Sequence, residues 1–280
     1  MSQAKLSFIG GGNLTSGIIS GLVSSGYPPK LIYVADRNPH KCEKLKSLFG
    51  VYATGNVEEV IAHGDVLILS IKPQGFSDLV NNYGKNIKDK KPFLISVMAG
   101  INISTLKNCF GDNFSIVRAM PNTASSVNAG ATGLFANNNV AAGEKDIVEH
   151  IFRNLGVVAW VNKENHINAI IALAGSSPAY FLYLIEIMQD VGLEMGLDKK
   201  TVRLLTLQSA FGASKMGLQS SEDVVILKDN ITSKGGTTAE ALKVFENNNL
   251  KSIVKEAMQA AFARGEELEN INQKKLEEEN

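Results

Sequence analysis

The 280-residue sequence is short of features that mark several protein classes. It has only two cysteines, Cys42 and Cys109, too few for a disulfide framework, so two small buried or half-buried thiols in a reducing, cytoplasmic compartment are expected. It has no charge of one sign to spare: 28 Lys and Arg face 28 Asp and Glu. A dedicated nucleic-acid binder needs a basic surplus to neutralise phosphates, and a peripheral membrane protein usually carries a basic amphipathic face, so neither partner is expected. No uninterrupted apolar run reaches the roughly 18 residues of a membrane span. The longest candidate, 167–188, is interrupted by Gly175-Ser176-Ser177-Pro178 and carries Glu186. The apolar stretch before the first glycines is shorter than a signal-peptide core. Four scattered histidines, His40, His63, His150 and His166, form no constellation with the cysteines, and no metal is expected.

What is present is a large apolar fraction, 44%, enough for a sizeable core in one large or two ordinary domains. Short β-rich runs at 6–9, 31–35, 66–70, 93–97, 115–119, 132–135 and 157–161 alternate with amphipathic stretches at 14–24, 39–49, 57–63, 76–83 and 144–155. Consecutive βαβ units look like this in sequence, and they predict a doubly wound α/β domain over residues 1–162 with a parallel sheet. The continuous run Val66-Leu67-Ile68-Leu69 predicts strands buried on both faces. After residue 162 the β signal ends and helical periodicity continues to the terminus. Residues 167–193 are apolar on most sides, which a helix tolerates only when covered all round. An all-α C-terminal domain, 163–280, that pairs with a second copy is therefore expected. The acidic tail from Glu266 onward reads as a fraying, solvated helix end.

The segment Phe8-Ile9-Gly10-Gly11-Gly12-Asn13-Leu14 follows a predicted strand and opens a predicted helix. In a Rossmann-like turn the first glycine permits the bend and the second lets backbone approach a pyrophosphate at the positive end of the helix dipole. Gly10 and Gly12 suit those roles, with Gly11, Asn13 and Leu14 alongside. The third position is Thr15 rather than Gly or Ala, which gives less support to close helix–strand packing. The second strand ends at Asp36-Arg37. An acid there accepts from a ribose 2′-hydroxyl and favours NAD, whereas the adjacent Arg pairs with a 2′-phosphate and favours NADP. Asn56 and Lys72-Pro73 lie near strand C-termini, where open α/β sheets bind ligands.

Two further segments bear on the reaction, Arg118-Ala119-Met120-Pro121-Asn122-Thr123 and Leu227–Thr238, the latter ending Ser233-Lys234-Gly235-Gly236-Thr237-Thr238. Together with the glycine turn, Ile71-Lys72-Pro73-Gln74 and Gly175–Tyr180, they resemble the pyrroline-5-carboxylate reductase family from about Leu6 to Leu268. The chain departs from the family pattern at Ala124, Ala174, Ser177 and Lys234, none of which removes a group the chemistry needs. The resemblance implies reduction of the C=N bond of 1-pyrroline-5-carboxylate to L-proline, the last step of proline biosynthesis, with NADPH or NADH. It places Met120, Pro121, Asn122 and Asn230 with the glycine turn, Asp36, Arg37, Asn56 and Lys72 near the dinucleotide. It puts Glu164 near the ligand, for which helix N-terminal charge is the alternative. It also implies a homodimer whose paired helical halves bring the Thr238 loop toward a dinucleotide domain; rings of dimers occur in the family.

The substrate is a small cyclic imine with one carboxylate, so its site must hold an anion and orient a ring. Ser233–Thr238 precedes an amphipathic stretch at 239–246, and the amides of Gly236, Thr237 and Thr238 at a helix N-terminus suit a carboxylate, with Gly235 giving close access. Thr238 also offers a hydroxyl to the ring nitrogen and is the candidate catalytic residue. Two rival readings are a β-hydroxyacid dehydrogenase, which places a catalytic Lys where residues 175–190 here have none, and a non-catalytic dinucleotide sensor. The neutral total hides an asymmetry: residues 1–162 hold 15 basic and 11 acidic groups and residues 163–280 hold 13 and 17. The mildly positive half is the one expected to bind an anionic cofactor.

Overall fold

A computed structural model of the chain describes residues 3–279. Its first half comprises β1 (Leu6–Ile9), α1 (Asn13–Ser24), β2 (Ile32–Ala35), α2 (Pro39–Phe49), β3 (Tyr52–Thr54), α3 (Val57–His63), β4 (Val66–Leu69), α4 (Phe76–Lys90), β5 (Phe93–Ser96), α5 (Ile103–Phe110), β6 (Ile116–Pro121), β7 (Gly130–Ala136), α6 (Ala142–Arg153) and β8 (Gly156–Trp160). The rest is helical: α7 (His166–Ile170), a π-helical turn (Ile171–Gly175), α8 (Ser177–Glu194), α9 (Lys199–Gln219), α10 (Val224–Asn230), α11 (Thr237–Asn247) and α12 (Leu250–Glu279).

The eight strands form one sheet in the order β3-β2-β1-β4-β5-β6-β7-β8. Chain direction away from β1 reverses between β2 and β4, which creates the crevice where doubly wound sheets take ligands. Every adjacent pair is parallel except β6–β7, which is antiparallel. The wholly parallel sheet expected from the βαβ pattern is corrected there, because residues 122–129 are fewer than the dozen or so a parallel crossover needs. Alternate residues of β4 supply two apolar layers. Val66 and Ile68 pack with Phe8, Ile18 and Phe152, while Leu67 and Leu69 pack with Phe76, Leu106 and Phe110. A strand covered on both sides needs apolar residues at every position, which accounts for the continuous run in the sequence.

The single tryptophan reports on one edge of this sheet. The Trp160 indole N–H donates to Glu149 Oε1 at 2.8 Å, and Arg153 Nε donates to Oε2 at 2.8 Å. The indole and then the guanidinium hold the Glu149 carboxyl below its usual range. A depressed carboxyl contributes stability above its unfolded value and loses it as pH falls through the folded one. Trp160 emission is therefore expected to titrate below the ordinary glutamate range while far-UV dichroism stays constant. Glu149→Gln should abolish that titration; an unchanged midpoint in the variant would assign it to another group.

The chain divides into two compact units, Met1–Ser176 with Ala261–Asn280, and Ser177–Ala260. Within the second, α8 packs on α9, where Gly192 admits Val202. Among residues of α8 to α11 only Val202 is buried, and large side chains such as Phe181, Tyr183, Leu204 and Phe211 are exposed. The unit has no core of its own, so its apolar surface calls for another polypeptide.

Two expectations are revised in the helical half. Gly175-Ser176-Ser177-Pro178 interrupts the helix only at Ser176, between the π turn and α8, and by length and composition the stretch His166–Glu194 is apolar enough to cross a membrane. A π turn absorbs the glycine, and Pro178 falls in the first turn of α8, where a missing N–H costs no intrahelical bond. The tail is also not uniformly solvated. Gly265 and Leu276 are buried, and Glu269 and Asn272 are half-buried between them, a helical stripe facing the sheet unit. The side chains of Glu277, Glu278 and Glu279, and all of Asn280, lie outside the described residues.

Candidate active site

The turn after β1 is built by contacts that admit little else. Gly10 has φ +105°, and a Cβ there would sit 2.3 Å from the Ser70 carbonyl oxygen, so the backbone just past β4 lies too close for any side chain. Its N–H donates to the Ala35 carbonyl at 2.8 Å. Thr15, the departure from the glycine pattern, is fully buried; its hydroxyl donates to the Gly10 carbonyl at 2.6 Å and lies 2.9 Å from Ser70 Oγ. Here a hydroxyl ties α1 to the turn where a glycine would have allowed bare backbone packing. Sequence reasoning treated Thr15 as a weakness and gave Ser70 no role.

Gly12 is different. It caps α1 in an extended conformation without a side-chain cap bond, and a Cβ there would meet nothing within 4 Å. It borders a cleft of about 610 Å³, lined also by Gly10, Asp36, Arg37, Lys41 and Lys72. Gly12 at the N-terminus of α1 and three cations border this space, and a helix N-terminus beside cations fits a phosphate-bearing ligand. The residues present thus fit an anionic dinucleotide at the crevice beside β1.

Asp36 is committed to the protein. One oxygen accepts from the Gly11 N–H at 2.8 Å and lies 3.4 Å from Lys41 Nζ, and the other accepts from the Asn38 N–H at 2.9 Å. The carboxylate braces the glycine turn, whereas Arg37 beside it is exposed. Lys41, in the first turn of α2, is a cleft residue that the sequence pattern does not single out, since Arg37 precedes the helix and shares no helical face with it. Asn56 caps α3, accepting from the Glu59 N–H at 3.2 Å. Lys72 is exposed, and Pro73 opens a short 3₁₀ turn after β4.

Met120 and Pro121 end β6. Asn122 is fixed at both ends of its amide, donating to the Ala174 carbonyl at 3.0 Å and accepting from the Ala131 N–H at 3.2 Å. Met120 Cε lies 3.6 Å from the position a Cβ would take on Gly175, so the glycine lets the two approach closely. Glu164 makes its contacts away from α7, whose first residue is His166. Its Oε1 accepts from the Ile103 N–H at 2.7 Å, in the first turn of α5, and from Arg118 Nη1 at 2.9 Å.

The remaining candidates lie in the other unit. Asn230 ends α10 and is exposed. Gly235 adopts φ +72°, a conformation that favours glycine. Gly236 is the N-cap of α11 without a side-chain cap bond, and Thr237 and Thr238 occupy the first turn. The Gly236 N–H donates to the Ser233 carbonyl at 3.0 Å, so that amide closes the turn. Both threonines are exposed.

Comparisons with known proteins agree with both halves. A family model for pyrroline-5-carboxylate reductase dimerisation matches residues 164–268, and one described as NADP oxidoreductase coenzyme F420-dependent matches residues 5–100. A pyrroline-5-carboxylate reductase of Vibrio alginolyticus is 40% identical over 97% of this chain and 100% of its own length. A solved pyrroline-5-carboxylate reductase of Coxiella burnetii superposes with a TM-score of 0.91 at 39% identity, covering 95% of this chain and 99% of that one. The Plasmodium falciparum pyrroline carboxylate reductase, solved with NADP bound, gives 0.82 at 30% identity, covering 96% and 99%. With a Rossmann-like nucleotide-binding sheet, a helical half that matches a dimerisation model, and relatives of this identity along nearly its whole length, the chain belongs to the pyrroline-5-carboxylate reductase family.

Proposed function

We propose that this chain reduces the C=N bond of 1-pyrroline-5-carboxylate to give L-proline, the last step of proline biosynthesis, using NADPH in preference to NADH. The observation that carries this reading is the near full-length match to reductases of that name. When bound, the cofactor supplies a hydride to the imine carbon. Gly12 and the first-turn amides of α1 receive its pyrophosphate, and Gly10 and Gly11 shape the turn. Asn13, Leu14, Asn56, Lys72, Pro73, Met120, Pro121, Asn122 and Asn230 complete its surroundings. Asp36 has its oxygens on backbone N–H groups while Arg37 is exposed beside Lys41; this disposition favours a 2′-phosphate over a free ribose hydroxyl.

On the substrate side, the amides of Thr237 and Thr238 at the start of α11 hold the carboxylate, and Gly235 and Gly236 keep side chains out of its way. The Thr238 hydroxyl orients the ring nitrogen, holding its proton while the carbon is reduced. A protonated imine is already electrophilic, so orientation and charge placement do most of the work and no dedicated acid is required. For Glu164, the bonds to Ile103 and Arg118 favour a positioning role over direct substrate contact.

Residues 1–162 form the nucleotide-binding domain in this reading and 163–280 the substrate and dimerisation domain. A homodimer, with a ring of dimers as the larger assembly, covers the exposed apolar side chains of α8 to α11. Two unpaired, buried cysteines suit a cytoplasmic location. Purified protein given the imine and NADPH is expected to oxidise the nicotinamide, and proline with NADP at alkaline pH to reverse the reaction. Thr238→Ala is expected to lower kcat/KM by about ten- to a hundredfold. Absence of turnover in both directions would end the assignment; near-normal turnover in the variant would remove only the role of the hydroxyl.

A further inference from the structure

The second half of α12 is an organising element on one face of the sheet unit. Arg118, 2% exposed, lies with Nη1 2.9 Å from both Glu164 Oε1 and Glu269 Oε1. Arg118 and Met120 point to the same face of β6, being two residues apart on a strand. Glu269 Oε2 accepts from Asn168 Nδ2 at 3.1 Å. One turn on, Asn272 Nδ2 donates to the Gly100 carbonyl at 3.1 Å. Gly100 has φ +73°, and a Cβ there would meet that same amide nitrogen at 2.7 Å. The β5–α5 turn is thus pressed against the tail. Its far side is held by Glu164, which accepts from the Ile103 N–H.

These contacts share a location. The ends of β5 and β6 belong to the β4–β5–β6 half of the doubly wound sheet, opposite the β1–β2–β3 half that carries Asp36, Arg37 and Lys41. A dinucleotide lies across both halves at the C-terminal edges of the strands. Glu269 and Asn272 also fall beyond residue 268, where the match to the dimerisation model stops.

We propose that Glu269 and Asn272 are positioning residues for the nicotinamide half of the cofactor: through Arg118 and Gly100 they set the β6 end at Met120–Asn122 and the β5–α5 turn, and they are dispensable for dimerisation. The inference rests on the proposed reductase reading. It predicts a split between ligands that a general loss of stability would not produce.

The test measures two dissociation constants on the full chain, on a chain ending at Leu268, and on Asn272→Ala and Glu269→Gln. One ligand is NADPH, followed by nicotinamide fluorescence; the other is 2′-phospho-ADP-ribose, which lacks the nicotinamide. The shortened chain is expected to stay dimeric, to bind NADPH about tenfold more weakly, and to bind the fragment within about twofold of the parent. Each point variant should show the same split at about threefold. Equal loss for both ligands, no loss for either, or conversion to a monomer would overturn the proposal. If the shortened chain does not fold, the point variants decide it by the same criterion. A parent chain that binds neither ligand would instead remove the reductase reading itself.

Discussion

Gly12→Ala is expected to fold and to assemble like the parent chain yet bind NADPH about ten- to a hundredfold more weakly, whereas Gly10→Ala, two residues away, is expected to fail at folding. Gly12 has φ −76° and ψ −174°, which alanine adopts freely, and its added methyl meets no protein atom within 4 Å. The folded state therefore loses only the difference between glycine and alanine as an N-cap, about 1 kcal/mol, or roughly 2–4 °C in Tm for a domain of this size. The methyl has the cleft before it, where the proposed reading puts the pyrophosphate against the first turn of α1. At Gly10 the methyl would meet the Ser70 carbonyl at 2.3 Å, on a residue with φ +105°. Backbone collision and strain together cost about 2–5 kcal/mol. Thermal melts and NADPH titrations on the two variants check both halves. An unchanged NADPH affinity in a well-folded Gly12→Ala would take the pyrophosphate away from this turn.

That contrast also indicates what the sequence could and could not disclose. Both glycines belong to one motif, and the motif does lie between a strand and a helix, as its flanks in the sequence predict. Which glycine the fold itself requires depended on Ser70, sixty residues away and just past β4, whose carbonyl lies against Gly10 and not Gly12. Thr15 is a similar case. As a substitution in a glycine pattern it counted against close packing, but its hydroxyl supplies the contact through Ser70 on the strand the turn abuts. Strands covered on both faces announced themselves by composition, and most helices by period. β3, three residues at the sheet edge, was too short to carry either signal, and β7 reversed direction because of a short loop whose length only gains meaning once β6 is known.

The tail was the least legible segment, for a physical reason. A helix face is usually recognised by apolar residues at intervals of three and four. Here the buried stripe runs through Gly265, Glu269, Asn272 and Leu276, so two of its four members are polar. They are polar because their neighbours are an arginine side chain and a peptide carbonyl, which require an anion and a donor. Counting charges in the tail correctly found the excess of acid. It could not show that Glu269 is matched against Arg118, since the partner lies on a central strand that is otherwise apolar.

Arg118→Met should therefore be among the most damaging single changes in the sheet unit. The guanidinium side chain is 3% exposed and faces two carboxylates, Glu164 at 27% and Glu269 at 16% exposure. Removing it leaves two largely desolvated negative charges facing each other, and breaking a buried pair in this way costs about 3–5 kcal/mol. Neutralising the orphans should recover most of that loss: the triple change Arg118→Met, Glu164→Gln, Glu269→Gln keeps a side-chain oxygen for the Ile103 N–H and an amide beside Asn168, with no buried charge left over. Denaturant midpoints on the single and triple variants measure the difference. If the triple variant is no more stable than the single one, the loss in Arg118→Met comes from packing around the guanidinium stem, and the charge triad is not what joins α12 to β6. Recovery of stability without recovery of NADPH affinity would separate the two duties of the same three residues, because a neutral cluster can fill the space between α5, α7 and α12 and still fail to hold the Met120 end of β6 where a charged one does.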